Sequence, residues 1–409
     1  MLPTTTDNGA RLAAILPTGL AAVAQGIGAD PPERIAAAAE AAAGPRLPSI
    51  RSFVMVVVDG LGHANLGARR GHAPTLARLP RKRIETVAPS TTGAALTSLT
   101  TGELPGRHGL IGYRIRHPEL GLVTTLKDWE GIADRRSWQR AEPLFGVARE
   151  LGARPVAIGR PAHARGGLTE AILTGAEYHP GQRIEDRFAV ASRLLREGDP
   201  LVAYLYVDEL DKAAHESGWQ SGEWAARLER LDAALADLLR TLSGDVGVVV
   251  TADHGIVDIA PHGQVMMDAD PALLAEVEEI GGEPRFRSLY LREGADPAAV
   301  ARVWAEAEGG RAWVSTRDEA IASGCFGPVA PEVAPRLGDV IVAARKQVAY
   351  SRSDDDPRAL AMVGQHGSFS EEERGVPLVL AGALEGSGFA AAIGEAARAH
   401  QTLRAAESG

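Results

Sequence analysis

Short runs of apolar residues that end at glycine or at acidic residues set the pattern of this chain. Four runs are nearly continuous and rich in β-branched residues: SFVMVVVDG (52–60), VAYLYVDEL (202–210), VGVVVTADHG (246–255) and VPLVLAG (376–382). Runs of this kind are typical of strands that are buried on both faces of a parallel sheet. RPVAIGR (154–160) has the same character. The pattern therefore predicts a parallel sheet at the centre of the molecule.

Helical patterns separate the predicted strands. In the clearest, WAARLERLDAALADLLRTL, leucines recur at spacings of three and four residues: Leu228, Leu231, Leu235, Leu238 and Leu242. Strands that alternate with helices indicate an α/β fold with a doubly wound, mostly parallel sheet. A chain of 409 residues is long enough for one large domain with an insertion or for two modest domains. The order of the motifs described below favours one domain.

The character of the chain changes between residues 262 and 348. Strand-like FRSLYLR, helix-like DPAAVARVWAEAE and strand-like RAWVST and GDVIVAA follow one another there. We therefore predict one domain over residues 1–409, with a small α/β subdomain inserted at 262–348 between the third and the fourth core strand.

Charge and cysteine content exclude several classes of protein. The net charge is −10, the pI is about 5.6, and the basic residues are scattered, so nucleic-acid binding is not expected. The one cysteine, Cys325, excludes an internal disulfide, a zinc cluster held by thiolates and the cysteine-derived nucleophile of sulfatases. Any metal ion must be held by oxygen and imidazole.

The N-terminal segment allows two interpretations. Arg11 followed by LAAILPTGLAAVA loosely imitates a secretory signal, whereas Asp7 and the proline inside the apolar run favour a helix that packs in the core. No run approaches the roughly 20 apolar residues of a membrane span. We therefore expect a cytoplasmic location and no membrane contact, with secretion as the alternative.

Polar residues cluster at the predicted strand ends, and in open α/β sheets ligands bind at the carboxyl ends of the strands. Six such residues stand out: Asp59, Asp211, His215, Asp253, His254 and His366. Each has an ordinary interpretation as a turn, a loop cap or an exposed pair. If a helix begins near Asp211, His215 four residues later shares its face. Their combination in one chain is more specific than any one of them.

Three aspartates and three histidines form a set of oxygen and nitrogen ligands that suits zinc and can also serve manganese or iron. Six ligands exceed what one tetrahedral ion takes. Two divalent ions about 3.5 to 4 Å apart are the natural arrangement, and such a pair can clamp the attacking and leaving oxygens of a phosphoryl group. We expect two divalent ions, with Zn²⁺ preferred.

A candidate nucleophile lies in VAPSTTGAALTSLTTG (87–102). Thr92 is predicted to open a short helix that ends at Gly102. A hydroxyl at a helix N-terminus lies beside unpaired N–H groups, where a phosphate oxyanion is favoured. Ser90, Thr91 and Thr92 are also ordinary N-cap residues, so capping is the alternative interpretation.

Taken in order, these residues resemble the nucleotide pyrophosphatase/phosphodiesterase family of the alkaline phosphatase superfamily. Five segments of the chain match motifs of that family: VVVDG, with Asp59; PSTT, in register with Thr101-Gly102 and Pro105, which selects Thr92; DKAAH, with Asp211 and His215; ADHG, with Asp253 and His254; and GQHG, with His366. Ala214 stands where the family usually has glycine. GRHGLIGYR, with His108 and Tyr113, also resembles a family segment, but it implies no role for these two residues.

The resemblance implies two ion sites: one made by Asp59, Asp253, His254 and the Thr92 oxygen, the other by Asp211, His215 and His366. It also implies a hydrolase that cleaves phosphate diester or pyrophosphate bonds of a small phosphate ester or nucleotide through a phosphothreonine. Ala95, however, stands where the diesterases of the family carry an asparagine that holds a phosphoryl oxygen.

Three alternatives follow for the function. A phosphomonoesterase or a phosphonate hydrolase would share the ligand set, because specificity lies in contacts other than the metal ligands. A metal-binding protein without activity would lack a ligand or the nucleophile, and none is missing here.

In GRPAHAR, Arg160, His163 and Arg165 could meet a substrate, although solvated loop residues are the simpler interpretation.

Overall fold

The computed structural model describes residues 2–3, 7–43, 47–127 and 129–407. Within these ranges, the strands of the two larger sheets are β1 (Ser52–Val58), β2 (Arg81–Glu85), β3 (Arg154–Gly159), β4 (Glu177–Pro180), β5 (Leu201–Val207), β6 (Val246–Thr251), β7 (Val277–Glu283), β8 (Phe286–Leu291), β9 (Ala312–Thr316), β10 (Val340–Ala344) and β11 (Gly375–Gly382). Short strand pairs join Arg114–His117 to Gly121–Thr124, Val257–Asp258 to Gly364–Gln365 and Gln264–Met266 to Ala349–Ser351.

The central sheet has the order β2-β11-β6-β1-β5-β3-β4. β1 pairs in parallel with β5 and β6, and β3 pairs in parallel with β5 and β4. Every residue of β1 and β6 is buried, so both faces of the sheet are covered. The prediction of an α/β fold with a mostly parallel central sheet is confirmed.

The fourth predicted core strand has the opposite direction to the one expected. β11 is antiparallel to its neighbours β6 and β2. A continuous apolar run reports burial and carries no information on direction, so the sequence pattern could not settle this point. Because β11 runs antiparallel, the residues that lead into it arrive at the carboxyl edge of the parallel strands.

The pattern missed the two edge strands of the central sheet. β2 has the sequence RKRIE and β4 has the sequence EYHP, and both contain mainly polar residues. Edge strands are often polar because one side of their backbone faces solvent or a loop. Their identity therefore depends on tertiary pairing and not on hydrophobic periodicity.

The longer helices are α1 (Ile15–Ile27), α2 (Ala36–Ala43), α3 (Thr92–Thr101), α4 (Ile184–Arg196), α5 (Glu209–Ser217), α6 (Gly222–Arg240), α7 (Pro297–Glu308) and α8 (Phe389–Glu407). Shorter ones are Ala10–Ala13, His63–Ala68, Pro74–Arg78, Pro105–His108, Arg135–Trp138, Phe145–Glu150, Gly167–Ile172, Arg317–Ala322, Pro357–Leu360 and Glu371–Arg374. The predicted leucine-rich helix is α6. The predicted helix after the threonine segment is α3, which ends at Gly102 with φ 78°.

Helix α1 packs directly against β1. A Cβ atom on Gly19 would lie 2.4 Å from the ring of Phe53, so only glycine allows this approach. The stretch Ala10–Ile27 is long and apolar enough to cross a membrane, which corrects the expectation from sequence that no run approaches such a length, and 72% of it is buried in the fold. The packing agrees with the interpretation of this segment as a core helix.

The second sheet lies in the predicted insertion and has the antiparallel order β7-β8-β10-β9. In β10, Val340 and Val342 pack with Trp304 of α7 in a separate hydrophobic cluster. The alternate residues Ile341 and Ala343 pack on the main core. This period of two places the sheet between α7 and the central domain. The boundaries at residues 262 and 348 stay a prediction.

Substitution of Gly19 tests the contact between α1 and β1. We expect Gly19→Ala to lower the free energy of unfolding by about 1–3 kcal/mol, because the added methyl group overlaps the Phe53 ring. Gly67→Ala is the matched control: this glycine is also helical, but a Cβ atom on it would have no other atom within 4 Å, and the change should be neutral or stabilising by up to ~1 kcal/mol. Denaturant unfolding of both variants measures the difference, and equal stabilities would contradict the packing.

Candidate metal centre

Asp59 follows β1 at the carboxyl edge of the central sheet. Its Oδ2 accepts a hydrogen bond from the hydroxyl of Tyr206, near the end of the neighbouring strand β5. Its Oδ1 is buried and has no hydrogen-bond partner among the described residues. Gly60 (φ 71°) turns the chain immediately afterwards, and a Cβ atom there would lie 3.1 Å from Asp211. The glycine therefore allows Asp211 to approach Asp59.

Asp253 and His254 follow β6, and both are fully buried. Asp253 Oδ1 accepts from the N–H groups of Gly60 (3.2 Å) and His254 (2.9 Å), while Oδ2 has no partner among the described residues. His254 Nε2 lies 3.3 Å from Asp59 Oδ1 and 3.6 Å from Asp253 Oδ2. Polar atoms from two adjacent strands thus meet at one point.

Asp211 and His215 lie one turn apart on α5, as expected if a helix begins near Asp211. His215 Nε2 is 3.1 Å from Asp211 Oδ2, and Asp211 Oδ1 is buried without a partner in the described part of the chain. His366, in the loop that leads toward β11, stacks on His254 with ring centroids 3.7 Å apart and lies 5.3 Å from the His215 ring. The antiparallel direction of β11 brings His366 to this edge.

Two overlapping groups of ligand atoms result. The ligand atoms of Asp59, Asp253 and His254 lie within 4.8 Å of one another, and so do those of Asp211, His254 and His366. Each of the three histidines points Nδ1 at a backbone carbonyl: that of Gly255 for His254 (3.1 Å), of Gly364 for His215 (2.7 Å) and of Ser90 for His366 (2.9 Å).

This arrangement fits a pair of metal ions. A histidine that donates Nδ1–H to a carbonyl presents the lone pair of Nε2, which is the usual preparation of a metal-binding histidine. The three carboxylates each keep a buried oxygen without a partner among the described residues. Buried polar atoms without partners lower the stability of a fold unless a bound group, such as a metal ion, interacts with them.

The pKa values of the ligand groups show strong mutual influence. Burial, together with Asp253 and Asp211, raises the pKa of Asp59 well above its ordinary value. Burial and Asp211 raise the pKa of Asp253 to about 7. Burial lowers the pKa of His254 to about 4 and, together with His254, that of His366 to about 3. The two imidazoles are therefore neutral at physiological pH, as metal binding requires.

His215 differs from the other two histidines. Against burial, which lowers it, the Asp211 carboxylate raises the pKa of His215 to about 9. Burial would raise the pKa of Asp211, but the attraction to His215, His366 and His254 together holds it below its usual range. A cation bound by both side chains would replace the proton that they share.

Thr92 is the first residue of α3 and lies next to these ligands. Its Oγ1 is 3.1 Å from His254 Nε2. Thr91, at the N-cap, has an extended backbone and its side chain makes no capping hydrogen bond. Helix capping therefore does not explain the threonine at this position. The first helical hydrogen bond runs from the N–H of Ala95 to the carbonyl of Thr91. The N–H groups of Thr92, Gly93 and Ala94 precede it and can face an anion.

A cleft of about 630 Å³ opens over this site, which is within the usual size for small-molecule sites. Of the predicted site residues, Asp253 and His254 lie behind the surface and the others line the cleft: Asp59, Thr92, Asp211, His215 and His366. The remaining wall is mainly apolar and aromatic, and Tyr178, Tyr204 and Tyr206 contribute to it. Tyr204 and Tyr206 stack with centroids 6.2 Å apart.

Sequence reasoning missed this tyrosine wall and Asp208. The available signal was weak: tyrosines two residues apart in VAYLYVDEL share one face of a strand, near its carboxyl end. Such spacing is also common in packed cores. Glu283, from β7, reaches the cleft as well, with one carboxylate oxygen 3.6 Å from His366 Nδ1.

The other residues noted in the sequence have different environments. His108 is fully buried, and its Nε2 lies 3.0 Å from Ser98 Oγ, which indicates a structural role. Tyr113 lines the cleft. His163 also lines it and contacts Asp208, whereas Arg165 is exposed, so the interpretation of this loop as merely solvated holds for Arg165 and not for His163.

A mostly parallel α/β sheet with carboxylates, imidazoles and a helix-terminal hydroxyl at its carboxyl edge is the arrangement of a metal-dependent phosphoester hydrolase. The family model for type I phosphodiesterase / nucleotide pyrophosphatase matches residues 53–369, which is most of the chain. The chain therefore belongs to this family, as the resemblance in sequence indicated. A search of curated proteins found no match.

Solved structures with the same fold include enzymes that act on different phosphorus compounds. Phosphonoacetate hydrolase from Sinorhizobium meliloti 1021, in complex with phosphonoformate, is 22% identical with a TM-score of 0.64, over 87% of this chain and 96% of that one. An inactive threonine-to-alanine variant of murine ectonucleotide pyrophosphatase / phosphodiesterase 5, in complex with AMP, is 18% identical with a TM-score of 0.63, over 81% and 88%. The human ectonucleotide pyrophosphatase / phosphodiesterase 5 is 16% identical with a TM-score of 0.64, over 81% and 87%. At these identities the likeness shows the fold.

Removing one hydroxyl tests how Asp59 is positioned. We expect Tyr206→Phe to weaken binding of Zn²⁺ to the metal-free protein by roughly 10–100-fold, the usual effect of losing a partner of a metal ligand. Tyr204→Phe is the matched control. Tyr204 stacks on Tyr206, and removing the Tyr204 hydroxyl leaves the hydrogen bond between Tyr206 and Asp59 intact. Calorimetric titration measures both affinities. Equal Zn²⁺ affinity in the two variants would show that the Tyr206 hydroxyl does not position Asp59.

Proposed function

We propose that the chain hydrolyses phosphate diester or pyrophosphate bonds of a small phosphate ester or nucleotide, with Thr92 as nucleophile. The observation that carries this proposal is the convergence at His254 Nε2, which lies 3.1 Å from Thr92 Oγ1 and 3.3 Å from Asp59 Oδ1. A hydroxyl at a helix N-terminus has no structural need for such a neighbourhood. The family assignment supports the same reaction class.

The proposed ligand sets are Asp59, Asp253, His254 and Thr92 for one ion and Asp211, His215 and His366 for the other. His254 belongs to both close groups of atoms, which supports neighbouring positions for the two ions. The donor set favours Zn²⁺, with Mn²⁺ or iron as alternatives. Bound at these positions, two dications would lower the pKa of the hydroxyl and of water and neutralise phosphoryl charge.

The residues of the chain determine the course of the reaction. The Thr92 hydroxyl gives up its proton and Oγ1 forms a bond to phosphorus, while the bond to the leaving alcohol or phosphate breaks in line with it. The leaving group takes up a proton, and the product is a phosphothreonine. Water then cleaves this ester from the opposite side and restores the hydroxyl. The N–H groups of Gly93 and Ala94, at the start of α3, stabilise phosphoryl oxygens during both steps.

A second candidate function is hydrolysis of a phosphonate or a phosphomonoester. It is favoured by Ala95, which is fully buried and stands where the diesterases of the family have asparagine. A methyl group cannot replace the hydrogen bond from this asparagine to a phosphoryl oxygen, so a feature that accompanies the diesterases of the family is absent. Comparison of kcat/KM for an aryl diester, its monoester and phosphonoacetate decides between the two functions.

The N-terminal segment Ala10–Ile27 bears on where the protein is located. Most of Ala10–Ile27 is buried against the domain, and removing it would uncover Phe53 and the rest of the face of β1 that α1 covers. This supports a helix that is kept in the folded protein, and on that ground we favour the cytoplasm over secretion.

Substitution of Thr92 tests the nucleophile. We expect Thr92→Ala to lower kcat for an aryl phosphodiester by at least about 1,000-fold while two ions per chain remain bound, because six ligands from other residues are kept. Thr91→Ala should lose far less activity, since the register of the segment assigns the attack to Thr92. Metal analysis accompanies the kinetics. Comparable turnover by Thr92→Ala and the unaltered protein would refute the assignment.

Metal removal gives a pH-dependent prediction. Asp253 and His215 have folded-state pKa values, about 7 and about 9, above their ordinary values of 3.8 and 6.5. Their protons stabilise the metal-free fold below those ordinary values, and this stabilisation is lost as pH rises through 7 and 9. Metal binding replaces the protons, so the increase in melting temperature on adding Zn²⁺ to chelated protein should be larger at pH 9 than at pH 6.

Asp211→Asn is the control for this measurement, because it removes a ligand from one ion and the partner of His215. It should lose most of the Zn²⁺-dependent gain at both pH values. A gain that is independent of pH, or equal in Asp211→Asn, would contradict the proposed ligand set.

A further inference from the structure

One wall of the cleft carries a group of charged side chains that the proposed reaction does not use. Asp208, at the end of β5, is only 4% exposed and accepts a hydrogen bond from His163 Nε2 at 3.0 Å. Lys212, in the first turns of α5, also donates to this carboxylate. Asp208, His163 and Lys212 all line the cleft. We call these three residues the Asp208 cluster.

The carboxylate of Asp208 does not serve the helix that it precedes. Asp208 occupies the N-cap position of α5, where aspartate commonly accepts from the N–H groups of the first turn. Here it makes no side-chain capping bond. Its Oδ2 instead accepts from His163 and Lys212 in the cleft wall, so this buried carboxylate orients these two side chains.

The surroundings of the cluster have an excess of positive charge. Arg160 and Arg187 lie 3.5 and 3.8 Å from Asp208 Oδ1, and Arg187 also pairs with Glu209. Three cations, those of Lys212, Arg160 and Arg187, therefore surround two carboxylates and leave one net positive charge. Of these three cations, only Lys212 lines the cleft. The two arginines balance the carboxylates of Asp208 and Glu209, so the charge of Lys212 is available to attract an anion in the cleft.

The cluster is adjacent to the candidate metal centre. Tyr206 separates the two: its hydroxyl bonds Asp59, and its ring packs edge-on against His163 with centroids 6.1 Å apart. Ile158, Leu168 and Leu173 form apolar walls around the same space. Polar groups framed by apolar side chains interact with a ligand more strongly than they would in water.

We propose that the Asp208 cluster is a specificity subsite that binds an oxyanion, carboxylate or phosphate, on the substituent that the reacting phosphorus carries. This inference rests on the proposed function and names its substrate class. The substrates are phosphate esters with a second anionic group that binds on the other side of Tyr206 from the candidate metal centre. Lys212 supplies the charge. His163, held by Asp208 through Nε2, lines the cleft beside Lys212, and as an imidazolium its Nδ1–H would donate a further hydrogen bond to the anion.

Three substrates that share the same leaving group test the subsite. They are p-nitrophenyl phosphodiesters whose second substituent ends in a carboxylate, a phosphate or a neutral amide of equal length. The metal-loaded full-length protein should cleave at least one charged substrate with kcat/KM about tenfold above the amide, a size expected for a charge-assisted contact. The charged substrate that is preferred identifies the anion.

His163→Ala and Lys212→Ala should each reduce that preference several-fold through KM and leave cleavage of the amide substrate unchanged. Each variant keeps the other partner of Asp208, so the buried carboxylate stays paired. Arg165→Ala is the matched control, since Arg165 is exposed in the same loop and does not line the cleft. It should keep the full preference.

The outcomes separate the two proposals. If the unaltered protein cleaves none of the three diesters, the proposed diesterase function fails. If it cleaves all three equally, or if the variants keep the preference, the subsite is refuted while the function stands. A parallel loss on the amide and charged substrates in His163→Ala would also refute the subsite, because it would assign His163 a structural role.

Discussion

Three buried carboxylates converge at the carboxyl edge of the central sheet, and much of the surrounding structure serves to hold them there. Burial, and after it repulsion by the neighbouring carboxylates, raises the pKa values of Asp59 and Asp253. Buried like charges that lie close together destabilise a fold unless cations or protons compensate them. The protein fixes the carboxylates with Tyr206, with the N–H groups of Gly60 and His254, and with His215, yet one oxygen of each remains without a partner among the described residues. The site is thus built for external positive charge.

The direction of one strand completes this site. The loops after β1, β5 and β6, which carry candidate ligands, reach the carboxyl edge because those strands are parallel. His366 precedes a strand, and a residue before a parallel strand would lie at the opposite edge. Since β11 is antiparallel, its N-terminal side faces the same edge, and His366 stacks on His254 there. The reversed direction of β11, in an otherwise parallel sheet, therefore brings His366 to the candidate ligands that precede it in the chain.

Sequence could supply the candidate ligands because each has a local signature. Asp59 and Asp253 lie within two residues of the ends of buried strands, and Asp211 and His215 have the i, i+4 spacing of one helix face. The direction of β11 was predicted wrongly, because burial without alternation looks alike in either direction. The polar edge strands β2 and β4 had no hydrophobic period. Asp208 could not be foreseen either: an aspartate before a helix reads as an N-cap, and only the fold shows that His163, far away in sequence, takes its carboxylate.

The inserted sheet is coupled to the metal centre through the loop that holds His366. Arg285, between β7 and β8, forms a fully buried pair with Glu373, which also accepts the N–H of Ser368. The hydroxyl of Ser368 donates to the carbonyl of Ala344, in β10. Two residues after His366, the loop is therefore bonded both to a buried ion pair and to the second sheet. A buried pair costs desolvation but fixes geometry when its bonds are complete. The second sheet thus does more than bring Glu283 to the cleft: it also holds the loop that carries one candidate ligand, His366.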